Sequence, residues 1–502
     1  MMKTSVASQV RHNASRFPAK PVLVEGARRL TYAELDAQAD ACANMLASRG
    51  VASGDRIAIL APSDIDWIVY YLGIGRIDAI VVPLNWKLTA DEVVAGVATA
   101  DVKFVLVDAE FDTTLARDIP AGKKIVVGGE RTGQLLAEFA GRRVDLEVDP
   151  KQTQVILFTG GTTGAQKGVM LSHENIFWNT IQLVVDTEMH EDDVTVLATP
   201  LHHAGALIIW LIPHLYLGAT AVLLPKYSPE ALIETIAAER VTNGWTPPSM
   251  TREVLTHPLA AQRDLRSFAR WYVAGGPFPR RDREAMKALI PGVKIFFQYG
   301  LTEAGVMVTV LKDKDYERAP DSIGRAFLHC SVKILREDLS DADPGEVGEI
   351  AMRSQSVMKG YFKNPEATTA TFHDGWLRTG DLGAIDRNGY VQFHDRLKDM
   401  VKTGGFNVYS QEVEQVLLRH PAVREVAVLG VPSDKWGEEV VAVVVVREGD
   451  SCDVESILRF AREHLAKYKV PKQVRFLEYA ELPINYSGKI VKKELRERFR
   501  SA

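Results

Sequence analysis

Cysteine is scarce in this chain of 502 residues: Cys42, Cys330 and Cys452 stand far apart and no CxxC occurs. A disulfide framework or a zinc site is therefore not expected, and a reducing compartment fits best. A basic excess is also lacking, since the formal net charge is -5. Nucleic acid and anionic membrane surfaces are therefore not expected partners. The opening MMKTSVASQVRHNASRFP has neither the apolar run nor the cleavage site of a secretory signal, so a cytoplasmic location is expected. GxGxxG, GxSxG and HExxH are absent, which argues against Rossmann oxidoreductases, α/β-hydrolases and zinc proteases. One uncharged stretch, Ala204 to Pro225, is long enough to span a bilayer. Pro213, His214 and Gly218 interrupt it, and it reads as a buried helix followed by a core strand at 219–224, with no transmembrane span.

What is present is the composition of an ordinary globular protein, 46% hydrophobic and 25% charged. Its length calls for two or more domains. Apolar runs at 56–60, 79–83, 103–107 and 124–127 alternate with amphipathic stretches such as 32–50, where Leu35, Ala39, Ala43 and Leu46 recur at helical spacing. This predicts an α/β class, with a large N-terminal multi-layer domain. After the turn at 386–389 come a short strand at 390–394 and a charged linker at 395–399. Beyond them lie a helix at 410–419, strands at 426–431 and 440–446, and a helix at 454–464. That pattern is a small α+β domain, and the expected domains are 1–395 and 396–502.

The most specific segment is Val155-Ile-Leu-Phe-Thr-Gly-Gly-Thr-Thr-Gly-Ala-Gln-Lys-Gly168. A buried strand runs into a loop carrying Thr159, Gly160, Gly161, Thr162, Thr163, Gly164 and Lys167. Glycines admit backbone N–H groups close to an anion, the threonines add donors, and the lysine adds a mobile positive charge. The chemistry indicated is polyphosphate binding. It is not a Walker loop, because Gln166 precedes the lysine and Gly168 follows it.

This loop resembles the phosphate-binding signature of the adenylate-forming superfamily, which includes acyl-CoA synthetases, peptide-synthetase adenylation domains and firefly luciferase. Further motifs follow in the family's order over nearly the whole chain. Two positions depart from it: Gly160 stands where serine is usual and Gln166 where proline is usual.

The resemblance implies roles for residues that match. Pro200-Leu-His-His-Ala-Gly205 is similar to the acid-pocket motif, with His203 beside the reacting carboxylate and His202 in place of an aromatic. Adjacent histidines are expected to point differently in a strand or loop, which argues against a shared metal site. Gly275, Gly276 and Pro277, and then Tyr299 and Gly300, resemble the adenine-facing segments. Thr302 is expected to meet the α-phosphate, and Glu303 to contact Mg²⁺. Asp381 and Arg396 match the ribose contacts, and Lys398 the hinge. Lys402, Gly404 and Gly405 match the segment that approaches the pantetheine channel. Leu482-Pro-Ile-Asn-Tyr-Ser-Gly-Lys489 is similar to the catalytic-lysine loop. A cation delivered there would oppose the repulsion between a carboxylate and ATP, both of them anions.

The implied activity is ATP-dependent, AMP-forming ligation of a small-molecule carboxylic acid to coenzyme A, with Mg²⁺ as cofactor. Relatives that activate amino acids carry an aspartate in the pocket motif, which this chain lacks. Ala204, Gly205, Trp245, Val306 and Met307, with the two histidines, suggest an apolar, fatty or aryl acid. Arg252 lies about where dicarboxylate-activating relatives place an arginine, although a solvated helix arginine is the plainer reading. A carrier-protein acceptor, a luciferase-like oxygenase, a non-catalytic nucleotide binder and a homodimer are all left open.

Overall fold

The computed structural model describes residues 5–144, 148–159, 166–484 and 490–500. The chain forms two compact units. The first comprises Met1–Val332 and Met352–Leu377, and the second Lys333–Ala351 and Arg378–Ala502. The boundary expected between 395 and 396 lies inside the second unit. A hinge is defined by motion rather than by packing, so that position stands as a proposal.

The first unit is built on two large sheets. One has seven strands in the order 360–361, 167–172, 153–159, 80–83, 56–60, 104–108, 124–127. Its four strands at 56–60, 80–83, 104–108 and 124–127 are mutually parallel, and 153–159 runs parallel to 80–83. The other has nine strands, of which 194–197, 243–246, 270–274 and 294–301 form a parallel series. Parallel strands buried on both faces call for continuous apolar runs, and Ile57, Ala58, Ile59 and Leu60 are all fully buried.

Helices cover these sheets, and their starts follow from local chemistry. Thr31 and Glu34 make a reciprocal capping box for helix Tyr32–Ser48. Ser172 and Asn175 do the same for His173–Asp186. The long apolar stretch is divided among short elements and is not one continuous helix. It forms a π-helical segment Gly205–Leu211 and helix Ile212–Leu217, ended by Gly218 at φ 93, before strand Thr220–Leu223. Trp210, Leu211 and Leu215 are buried in the main core. Among the described residues no helix is long and apolar enough to cross a membrane.

In the second unit, strand Trp376–Ile385 pairs with Val391–Arg396, placing Asp381 opposite Arg396. Strands Val423–Ser433 and Gly437–Val446 form a long antiparallel ribbon, packed with helices Ser410–Leu417 and Val454–His464 around Val413, Val428, Val440 and Ile457. The stretch expected as a charged linker is not wholly solvated. Asp395 is 1% exposed and accepts from the Ser410 backbone N–H and, at 3.1 Å, from its hydroxyl. The buried carboxylate thus tethers the strand end to the following helix.

Candidate active site

Parallel strands end at one edge, and loops leaving that edge are where α/β folds bind ligands. In the nine-stranded sheet this edge collects the turn Pro200–His203 after Val194–Leu197. It also collects Trp245 at the end of Asn243–Thr246, then Gly275–Pro277 after Arg270–Ala274, and Tyr299–Leu301 at the end of Lys294–Leu301. The seven-stranded sheet contributes its own ends: Ser63 beyond Arg56–Leu60, Trp86 beyond Ile80–Pro83, and Thr159 at the end of Thr153–Thr159. The edges meet. The Ser63 hydroxyl accepts from Leu201 N–H at 2.8 Å, and Trp86 meets the His202 ring edge-on at 6.5 Å.

The two histidines differ in orientation, with ring planes 57° apart, yet they stay close. Their rings lie 4.2 Å from each other, because residues 200–203 form a turn closed by His203 N–H to Pro200 C=O at 3.1 Å. Alternation of side chains holds only along an extended strand. Burial pushes both imidazoles down, His202 well below its ordinary value and His203 to about 4, with nearby Lys87 acting in the same direction. Both are therefore neutral at pH 7. Among the described residues no group of three or more His, Cys, Asp or Glu could hold a metal.

Gly205 is a steric requirement. A Cβ there would stand 2.8 Å from Cη2 of Trp245, so the indole occupies the space beside the π-helical segment. Helix His173–Asp186 fixes this wall from behind: Asn179 donates to Ile208 C=O at 3.3 Å and Gln182 to Met307 C=O at 3.3 Å. Ala204 packs against the main core, while Val306 and Met307 are buried within it.

The turn 302–305 is unusually constrained. A Cβ on Gly300 would lie 1.6 Å from the Val306 carbonyl oxygen, and one on Gly305 would lie 1.8 Å from the Ser356 carbonyl oxygen. Val306 holds φ 112, a region that β-branched residues avoid. Such strain, about 1–3 kcal/mol, persists because neighbours over-determine it. The Ser356 hydroxyl donates to Ala304 C=O at 2.9 Å, and Met358 N–H donates to Glu303 C=O at 2.9 Å. The Tyr361 hydroxyl donates to Glu303 Oε1 at 3.0 Å. Burial and the Glu303 carboxylate push the Tyr361 hydroxyl up, so it stays a donor throughout the neutral range. Thr302 lies at the start of the same turn, its carbonyl accepting from Gly305 N–H at 3.1 Å.

Of the phosphate loop, Thr159 and Lys167 pair across the hairpin, and Lys167 Nζ lies 4.9 Å from the Tyr361 ring centroid. Gly160, Gly161, Thr162, Thr163 and Gly164 lie outside the described residues, as does Lys489. Ile484 and Ile490 bridge across the segment that contains that lysine. A single carboxylate such as Glu303, with no cluster of further carboxylates or histidines around it among the described residues, suits Mg²⁺, which keeps waters and is carried largely by substrate phosphates.

In the second unit, Arg396 Nε stands 3.6 Å from Asp381 Oδ1, so the two expected ribose contacts are neighbours. Burial lowers the Lys398 ammonium. Lys402 Nζ is 3.7 Å from Glu337. Gly404 and Gly405 both hold positive φ, and Gly404 N–H donates to Trp436 C=O at 2.9 Å. Trp436 is 40% exposed, and the ammonium groups of Lys435 and Lys472 lie 4.9 and 5.9 Å from its ring. Sequence reasoning missed Tyr361, Trp86 and Trp436, whose only local signals are the short Gly360–Tyr361 strand, the strand end at Pro83 and the turn before Gly437.

The chain belongs to the AMP-binding enzyme family: the model of that family matches residues 10–362, and the model of its C-terminal domain matches 412–489. It is an AMP-forming acyl-CoA synthetase, and ATP and CoA are substrates of this family. A feruloyl-CoA synthase of Amycolatopsis sp. is 36% identical over 487 residues, covering 97% of each chain. The long-chain-fatty-acid–CoA ligase FadD13 of Mycobacterium tuberculosis is 32% identical, covering 99% of this chain and 98% of its own. The crystal structure of ATP-bound MatB from Rhodopseudomonas palustris superposes with a TM-score of 0.92 at 30% identity, covering 99% of both.

Proposed function

We propose that the enzyme activates an apolar acid, aryl in preference to fatty, as its adenylate and passes the acyl group to CoA. The observation that carries this is the wall formed by Trp245 on Gly205 beside two neutral imidazoles. A flat, uncharged surface favours an aromatic ring. The dicarboxylate alternative is weakened by Arg252, which stands 3.3 Å from the buried Asp282 and so already has an anionic partner.

In this reading an ionised carboxylate oxygen attacks the α-phosphorus and pyrophosphate leaves, so no general base is needed. Lys167 and the hydroxyl donors of residues 159–163 bind the polyphosphate. Thr302 donates to the α-phosphate, and Tyr299, Gly300 and Gly275–Pro277 bind adenine. Asp381 and Arg396 hold the ribose, and Lys489 neutralises the charge that crowds at phosphorus. Glu303 would hold Mg²⁺, which supplies charge neutralisation when bound. The thiolate of CoA then attacks the acyl carbon and AMP departs. Lys402, Gly404, Gly405 and the exposed Trp436 serve that second step, with Lys398 as pivot.

A cytoplasmic location belongs to the same reading, supported by three free cysteines. Sedimentation velocity reads the homodimer expectation. The function is tested by pyrophosphate release across aryl, fatty and dicarboxylic acids, with CoA or a pantetheinylated carrier protein. Release with hydroxycinnamate-type acids and thioester formation on free CoA are expected. Preference for dicarboxylates, or transfer to the carrier alone, would overturn it.

A further inference from the structure

One side chain touches both charged groups assigned to the nucleotide. The Tyr361 ring lies under Lys167 Nζ at 4.9 Å, and its hydroxyl donates to Glu303 Oε1 at 3.0 Å. Tyr361 is 7% exposed, and its backbone is fixed twice. Its strand pairs with the exit strand of the phosphate hairpin, Tyr361 opposite Val169. Its N–H also donates to the Thr368 hydroxyl at 2.9 Å. Glu303 Oε2 has no hydrogen-bond partner among the described residues.

We propose that Tyr361 is a positioning residue for Mg·ATP: by holding Oε1 it orients Oε2 for the cation, and by its ring it spaces Lys167 from that carboxylate. This rests on the adenylating reading above. Without the hydroxyl, Glu303 keeps its charge and the anchoring of its turn, but its carboxylate rotates freely. A freely rotating ligand must be ordered at the moment of binding, which weakens the metal-dependent part of affinity alone.

The experiment is calorimetric titration of wild type, Tyr361→Phe, Glu303→Gln and the double variant with ATP, with and without Mg²⁺, alongside thermal melting. The wild type is expected to bind ATP more tightly with Mg²⁺. Tyr361→Phe should lose about tenfold of that preference, the scale of one hydrogen bond to a charged group, while binding metal-free ATP as wild type and melting within a degree or two. In the Glu303→Gln background the same change should add nothing. A Tyr361→Phe enzyme with the full Mg²⁺ preference would overturn the proposal. So would equal weakening with and without metal, which marks a merely structural role. A wild type that does not bind ATP would instead sink the adenylating reading itself.

Discussion

Replacing Gly300 by alanine probes the turn that carries Thr302 and Glu303 with a single methyl group. Gly300 does not hold positive φ, so the need for glycine there is steric. The new Cβ would stand 1.6 Å from the Val306 carbonyl oxygen and 2.7 Å from its carbon. Ordinary carbon–oxygen contact needs about 3.3 Å, so backbone on one side must yield by roughly 1.7 Å. Val306 already holds φ 112 and has little room to absorb this, so the displacement is passed to residues 301–305. Overpacking of this kind costs about 1–3 kcal/mol. A misplacement of about an ångström in a positioning group costs on the order of 10²-fold in rate. Adenylation measured by pyrophosphate exchange should therefore fall about a hundredfold, with a melting temperature lower by several degrees. Gly26→Ala serves as control: its φ is 56 with nothing within 4 Å, so it bears only a backbone penalty of about 1 kcal/mol and keeps full activity. A Gly300→Ala enzyme that matches the control in rate would refute the claim that this turn is held to sub-ångström tolerance.

Lys489→Ala should lose roughly 10²–10³-fold or more in adenylate formation yet retain thioester formation from supplied acyl-adenylate, as single-turnover assays of the two half-reactions will report. The pocket histidines set an acid limit on stability. With His203 pushed down to about 4 from an ordinary 6.5, the unfolded chain binds more protons across that interval. The contribution is whole above pH 6.5 and is lost as pH falls towards 4, about 3 kcal/mol in all. Melting curves from pH 7.5 to 4.5 should show this decline, and His203→Gln should flatten it. Gly205→Ala should press on Trp245, whose Cη2 the methyl would meet at 2.8 Å, and lower kcat/KM for aryl acids about tenfold more than for short fatty acids. Equal losses would remove Trp245 from the pocket.

Much of this was legible in the sequence because each motif carries its chemistry locally. The helix 32–50 and the strands 56–60 and 124–127 are found within two residues of expectation, since their apolar periods and capping residues are local signals. Asp381 and Arg396 were matched separately and proved to be register partners. What failed depended on tertiary structure. The closeness of the two histidine rings comes from a turn that no local pattern marks. The π-helical segment 205–211 has no distinct period, and one of its carbonyls, that of Ile208, accepts from Asn179 of another helix. Tyr361 lies in a two-residue strand, too short for any pattern, and its importance comes from Lys167 and Glu303, which are distant along the chain. The segment 333–351 joins the second unit through contacts that no linear reading of a boundary contains.

The central claim is that the acid itself attacks the α-phosphorus, so that one carboxylate oxygen leaves with AMP. Supplying an aryl acid labelled with ¹⁸O in its carboxylate, together with ATP and CoA, and weighing the products by mass spectrometry tests this directly. One label per AMP, with pyrophosphate and thioester in equal amounts, is the expected result. Unlabelled AMP, or ADP with labelled phosphate, would contradict it.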